Sequence, residues 1–260
     1  MTRSATLADW YRNHGRHDLA WRESRDRWVT LVSEVMLQQT QVPRVAEAWP
    51  AFIGQFPTAA AMAAASPGAA ITAWGRLGYP RRARRLWESA RIIATDGWPD
   101  DLTALPGVGR YTAAAVLAQA EDADVPAVEV NVRRVVERCE GKALSERDAE
   151  AAMVKLARPL RGRDRLLALM DVGATICRPR NPRCPDCPLR RRCASRGPRP
   201  DEPRSRQPAF AGSFRQRRGL VMARLRDDGR APIGELDAEA LASLVADGLA
   251  VVAGSDATLP

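Results

Sequence analysis

Leu105-Pro106-Gly107-Val108-Gly109 runs directly into Arg110-Tyr111-Thr112-Ala113-Ala114-Ala115. Two glycines one residue apart, opening a run of helical composition, let backbone N–H groups approach an anion with no side chain in the way. The N-terminus of the helix adds a partial positive charge at the same place. Leu105, Gly107, Val108, Gly109 and Arg110 are therefore the candidate anion contacts. A bare G-x-G also serves as a plain tight turn, so at this level both readings stand.

Working outward, Ala46–Phe56, Ala59–Ala65, Arg82–Ile93 and Tyr111–Ala120 carry apolar residues at three- and four-residue spacing and read as helices. Pro57, Pro67-Gly68, Gly78 to Pro80, Pro99 and Pro106-Gly107 separate them. No series of alternating strands and no internal repeat is visible, so the expected fold class is all-α. All seven tryptophans precede residue 100, which places the expected main core in that half. Gly197 to Ser213 is rich in Pro, Arg and Ser and reads as a linker. Beyond it, Phe214–Leu225 and Asp237–Gly248 read as helices, and Leu249–Val252 with Thr258-Leu259 as a small hairpin. That order suits either a truncated winged-helix module or a helical extension of the main domain.

The chain of 260 residues is 45% hydrophobic and is long enough for one large domain or two modest ones. No apolar run approaches the roughly 18 residues that a membrane span needs. Met1 to Trp10 has no apolar core followed by a small-residue cleavage site, so a cytoplasmic protein is expected. The formal net charge is +9 and the pI about 10.1, which suits a polyanionic partner. Only Lys142 and Lys155 are lysines, so a general preference for Arg accounts for part of this. The excess is local, however. Between Arg178 and Arg218 there are 13 Arg against Asp186, Asp201 and Glu202, while the rest of the chain is almost neutral. An electrostatic contact surface has this distribution.

Cys177, Cys184, Cys187 and Cys193 have the spacing C-x6-C-x2-C-x5-C. Four thiols so close together in a cytoplasmic protein read as thiolates around one metal centre, not as disulfides. Zinc and iron–sulfur clusters both accept four Cys. Spacing favours iron–sulfur, because a structural zinc site usually pairs two CxxC knuckles. Cys139 stands apart and reads as a core thiol. Arg178, Arg180, Arg183, Arg190, Arg191 and Arg192 flank the cysteines. They offset the charge of an anionic cluster, and those pointing outward can meet phosphate.

Taken together, these motifs resemble the helix-hairpin-helix glycosylase superfamily of endonuclease III and MutY. LPGVGRYTA resembles its hairpin, and the cysteine spacing matches its [4Fe-4S] cluster motif. The likeness to MutY enzymes runs from Trp10 to about Cys193. It is most specific at Leu31-Val-Ser-Glu34-Val-Met-Leu-Gln38-Gln39-Thr40-Gln41-Val42, with further matches at Trp74 to Tyr79 and Leu169 to Cys177. The resemblance implies a two-domain fold with the active site in the cleft: a six-helix barrel domain carrying the hairpin over residues 25–130, and a cluster domain formed by 1–24 and 131–196. A basic linker (197–213) and a small, winged-helix-like C-terminal module (214–260) would follow.

It also implies roles. Glu34 is the general acid that protonates the departing purine. The second carboxylate of the family is an Asp in D-x-N-V-x-R-V. Here Glu129-Val130-Asn131-Val132-Arg133-Arg134-Val135 puts Glu129 there, one methylene longer. It reads as a working replacement, a mark of altered substrate or a mark of lost activity. Tyr111 stands where strand-cutting relatives carry a Schiff-base Lys, so a monofunctional enzyme is implied. Gln39, Thr40 and Gln41 resemble the loop that fills the gap left by a flipped base, and Tyr79 the wedge that stacks beside it. Arg81, Arg82, Arg84 and Arg85 read as phosphate contacts or as a solvated helix face. Trp21 and Arg22 resemble base-pocket residues, and Asn131 and Asp171 support the sugar and the acid.

The implied function is removal of adenine opposite 8-oxoguanine or guanine from double-stranded DNA in base excision repair, by a monomeric bacterial enzyme. Excision of thymine or uracil from a G mismatch, or DNA binding without catalysis, are the alternatives. Many MutY enzymes carry a C-terminal Nudix-like domain that helps read 8-oxoguanine, and residues 214–260 are too few to form one.

Overall fold

The computed structural model describes residues 6–202 and 209–260. α1 (Leu7–His14) starts under a capping box in which Thr6 and Asp9 satisfy each other's backbone N–H. α2 (Arg27–Leu37), α3 (Val42–Gln55), α4 (Ala59–Ala63), α5 (Pro67–Trp74) and α6 (Arg81–Asp96) follow. Thr58 and Ser66 cap α4 and α5, and Gly75 ends α5 at a φ of 59°. Then come α7 (Arg110–Glu121), α8 (Val130–Glu140), α9 (Glu146–Ala157) and α10 (Gly162–Asp171), the last continuing as a π-helical turn over Val172–Ile176. The cysteine-bearing segment beyond it holds only short 3-10 turns. The four helices read from apolar spacing before residue 125 are all present.

The chain forms two compact units, one drawn from Met1–Leu31 and Gly109–Ser205, the other from Val32–Val108 and Arg206–Pro260. The core of the first unit runs from Leu7 and Trp10 through Val132, Val135, Met153, Leu156, Leu166 and Leu169 to Leu189. It is built from Ala, Val, Leu and Met, and Trp10 is its one tryptophan among the described residues. Trp21 and Trp28 of the same unit are buried as well, so the tryptophans are shared between the two units and do not single out one core. In the second unit Trp49, Phe52, Phe56 and Trp74 are buried, with Phe52 edge-on to both Phe56 and Trp74.

The second unit also holds the C-terminal segment. α11 (Phe214–Asp228) and α12 (Ala238–Ala246) occupy the two stretches read as helices. β1 (Arg230–Pro232), β2 (Val251–Ala253) and β3 (Asp256–Thr258) form an antiparallel sheet in the order β1-β3-β2. The β2–β3 hairpin fell within the expected region, whereas β1, an Arg-Ala-Pro tripeptide, has no strand signal of its own. Arg226 donates to the carbonyl of Gly75 at 3.1 Å and Arg84 to that of Asp247 at 2.6 Å, which ties the segment to the ends of α5 and α6. Among the described residues no helix is long and apolar enough to cross a membrane.

Candidate active site and nucleic-acid interface

Glu34 lies in α2 and is 5% exposed, with its chain neighbours Ser33, Val35 and Met36 buried as well. Where α2 ends, the chain turns sharply. Gln39 takes a left-handed φ of 56° and, with Gln41, is exposed, while Thr40 is half-buried. Tyr79 is the second non-glycine residue of this unit with a left-handed φ, at 51°, and is 43% exposed. Non-glycine residues hold that conformation only where the surroundings over-determine it.

The arginine run beside Tyr79 is mixed: Arg81 and Arg85 are exposed, Arg84 is half-buried and Arg82 is buried. Arg81 and Arg84 are engaged by Asp247 of the C-terminal segment. Arg82 is buried, and its guanidinium is ringed by backbone carbonyls. Arg85 alone of the four is exposed without such a partner, and its aliphatic stem lies against Gly107. Gly107 has φ +80°, which favours glycine, and a Cβ there would press on the Arg85 side chain at 3.1 Å from its Cδ. Leu105 and Val108 are buried and anchor the turn, closed by Val108 N–H donating to the Leu105 carbonyl at 3.1 Å. Gly109 is the N-cap of α7 and, having no side chain, makes no side-chain cap bond to the helix start. Arg110, at that first turn, is exposed near Glu146 and Glu150. Tyr111 lines a shallow cavity of the first unit with Pro126, Ala127 and Val128, the three residues that lead into Glu129.

Glu129 is the N-cap of α8. Its Oε2 accepts from Asn131 N–H at 2.7 Å and Asn131 Nδ2 at 2.9 Å, and its Oε1 from Val132 N–H at 2.9 Å. The longer side chain bends back to the second and third N–H groups of the helix, the donors that a capping Asp uses. Burial pushes the Glu129 carboxyl above its ordinary range, and the Asn131 and Val132 N–H groups only partly reverse this. Asn131 is itself held by Arg134, which donates to Asn131 Oδ1 at 2.7 Å, to the Gly173 carbonyl at 2.8 Å and to the Cys177 carbonyl at 2.7 Å. One guanidinium therefore joins the Glu129 cap, the π-helical turn and the first cysteine. Gly173 permits this approach, since a Cβ there would lie 2.7 Å from Asn131 Cβ.

Asp171 is fully buried and receives Arg22 bidentately at 2.8 and 2.9 Å, with Arg16 Nε at 2.7 Å and Arg16 N–H at 2.9 Å. Burial alone would raise the Asp171 carboxyl; the bonds from Arg22 and the charges of Arg22 and Arg16 hold it below its ordinary range. Trp21 is buried in the same 3-10 turn as Arg22. The structure thus brings Arg22 and Asp171 together as an ion pair.

Cys177, Cys184, Cys187 and Cys193 line one cavity together with apolar Val135, Val172, Ile176 and Leu189. Arg138 donates to Cys177 Sγ at 3.4 Å, and Arg196 N–H to Cys193 Sγ at 3.3 Å. Among the described residues no three His, Cys, Asp or Glu side chains converge as tightly as a single ion demands. The four half-buried thiols around this cavity are the donor set that a four-cysteine metal centre, zinc or iron–sulfur, would use. Arg134 and Arg138 escaped the sequence reading of the site, and Arg82 reads there only as a phosphate contact or part of a solvated face. Arg138 is 1% exposed and bridges Cys177, the Arg178 carbonyl and Glu202. Arg199 is buried against Glu137 and Asp201, so the linker begins as a folded segment. Its residues 203–208, with Arg204 and Arg206, lie outside the described residues.

A glycine turn that leads into α7, a buried glutamate on α2, a glutamate that caps α8 and a four-cysteine loop suit a DNA-repair glycosylase of the helix-hairpin-helix class. Residues 32–159 match the family described as HhH-GPD superfamily base excision DNA repair protein, and the chain belongs to it. Within it, the chain is 46% identical over 233 residues to the adenine DNA glycosylase of Mycolicibacterium smegmatis, covering 85% of this chain and 79% of that protein. It is 44% identical to that of Mycobacterium tuberculosis over 236 residues, covering 85% and 77%. A solved thermostable thymine-DNA glycosylase is similar at 28% identity and a TM-score of 0.65, over 73% of this chain and 93% of that one. A non-covalent endonuclease III–DNA complex shares the fold at 22% identity and a TM-score of 0.63, over 73% and 91%.

Proposed function

We propose that the protein is a monofunctional adenine glycosylase acting on adenine opposite 8-oxoguanine or guanine in double-stranded DNA. Breaking the bond between the sugar carbon and the base nitrogen leaves positive charge on the sugar and negative charge on the base. Glu34, buried on α2, supplies the proton that makes the purine a neutral leaving group. Glu129 stays ionised and stabilises the cationic sugar until water adds, the division of labour that glycoside hydrolysis uses. The observation that carries this reading is the triple anchoring of the Glu129 carboxylate at the start of α8. It makes the residue a working replacement for Asp. Tyr111 in place of a nucleophilic Lys leaves an abasic site and an uncut strand.

The hairpin turn and the N–H groups at the start of α7 receive a phosphate, and Gln39, Thr40, Gln41 and Tyr79 occupy the space vacated by the flipped base. The four cysteines hold a [4Fe-4S] cluster, which when bound supplies the frame that shapes the Arg-rich loop. Exposed Arg180, Arg190, Arg191 and Arg196 on that loop face phosphate. The helix–strand–helix–hairpin order of residues 214–260 is that of a small winged-helix-like module. The enzyme works as a monomer in the bacterial cytoplasm. The 44–46% identity to adenine glycosylases, against 28% to the thymine enzyme, favours adenine.

The test uses duplexes containing A:8-oxoG, A:G, T:G and U:G, each incubated with the purified protein and then treated with alkali. Breakage confined to the adenine strand is expected. Breakage at T or U, or tight binding with no breakage anywhere, would overturn the reading. A visible absorbance band from the purified protein distinguishes iron–sulfur from zinc.

A further inference from the structure

Arg82 sits at the start of α6, 8% exposed, in a run that looks made for solvent. Its Nη1 donates to the carbonyls of Val35 at 2.8 Å, Met36 at 3.0 Å and Gln38 at 2.5 Å. Its Nη2 donates to Thr40 Oγ1 at 3.0 Å and to the carbonyls of Gly78 at 2.9 Å and Leu77 at 3.4 Å. Its guanidinium carbon lies 5.0 Å from the ring centre of Trp74 and 5.6 Å from that of Tyr79.

These acceptors form two groups. Val35, Met36, Gln38 and Thr40 are the end of the helix that carries Glu34 and the loop that follows it. Leu77 and Gly78 lead into Tyr79. The two non-glycine residues with left-handed φ between α2 and α6, Gln39 and Tyr79, are the ones whose neighbours Arg82 binds. A planar fork can serve two diverging loops at once, whereas the point charge of an ammonium cannot. The cation also sits at the C-terminal end of α2, where it meets the last carbonyls and the negative end of the helix dipole.

We infer that Arg82 is a positioning residue that sets the spacing between the Gln39–Gln41 loop and Tyr79, and so enables the paired insertion of both into a duplex at a flipped base. The inference rests on the DNA-contact reading given under Proposed function. In it Arg82 touches no DNA and acts through the two loops.

The readout is the ratio of dissociation constants for a duplex carrying a non-cleavable abasic analogue opposite 8-oxoguanine and for a fully matched duplex. Arg82→Gln, shown by its melting curve to be folded, is expected to lower that preference by about tenfold or more, since misplacement near 1 Å costs on the order of a hundredfold at a catalytic geometry. Arg82→Lys is expected to recover part of it. In a Gln39→Ala, Tyr79→Ala background, Arg82→Gln is expected to change the preference no further. An unchanged preference in folded Arg82→Gln, or a fully additive loss in that background, overturns the role of Arg82. If Arg82→Gln does not fold, Arg82→Lys is read in the same cycle, and a wild-type preference there overturns it equally. If Gln39→Ala, Tyr79→Ala alone keeps the preference, the DNA-contact reading itself is overturned, and Arg82 with it.

Discussion

At Glu129 the carboxylate proposed to stabilise the sugar cation is also the N-cap of α8. Both oxygens are held by donors at the start of α8, so the group cannot drift as a free glutamate would. Glu129→Asp still reaches the N-cap donors, and its melting temperature is expected to stay within a few degrees of wild type and its single-turnover rate within about tenfold. Burial raises the Glu129 carboxyl, so protonation begins at a higher pH than for an ordinary glutamate. The protonated form has no charge to offer the cationic sugar. Single-turnover activity is therefore expected to fall as pH drops through that raised value, and Glu129→Gln should abolish this acid limb together with most of the rate. A Glu129→Gln profile that keeps the limb assigns it to another group. The sequence identified the register and the extra methylene, but not the return of the side chain, which depends on backbone angles at residue 129 that no residue type encodes. Asp171 makes the complementary case. Asp171→Asn leaves Arg22 and Arg16 without their carboxylate, and breaking a buried pair costs about 3–5 kcal/mol. Thermal melting is expected to show that loss, and an unchanged melting curve counts against a structural ion pair.

At the scale of elements, apolar spacing made the helices legible and Gly-Pro punctuation made their ends legible. The arginines were illegible for a physical reason. Arg is read as exposed because burying its charge is costly, and the compensation for Arg82, Arg134 and Arg138 comes from backbone carbonyls that converge only after folding. The Arg138–Glu202 pair, at 2.5 and 2.7 Å, joins residues 64 positions apart, beyond any local pattern. The hairpin was the opposite case, fully local and so readable from nine residues. Gly107→Ala places a Cβ at φ +80° and 3.1 Å from Arg85 Cδ. It is expected to cost about 1 kcal/mol or somewhat more in stability. DNA affinity is expected to drop for lesion and matched duplexes alike, since a phosphate contact carries no sequence information. Loss confined to the lesion duplex would place the turn near the base instead.

Across the whole molecule, charge is segregated. The cysteine loop carries exposed arginines, whereas residues 209–260 hold six arginines and seven acids, many paired with each other. Asp247 meets Arg81 and Arg218 and, through its carbonyl, Arg84, so the C-terminal segment offsets part of the charge of the Arg81–Arg85 run. Electrostatic affinity should then come from the cysteine loop and not from the tail. Each phosphate that a variant no longer neutralises lowers the slope of log affinity against log salt by about one. Arg190→Ala with Arg191→Ala is expected to lower that slope by about two on matched and lesion duplexes equally. Arg215→Ala with Arg224→Ala, on α11, is expected to leave it unchanged. Binding isotherms between about 50 and 200 mM salt, where displaced counterions govern affinity most steeply, decide between these outcomes. A slope that falls for the α11 pair, or holds for the loop pair, would transfer the DNA-facing role from the cysteine loop to the C-terminal segment.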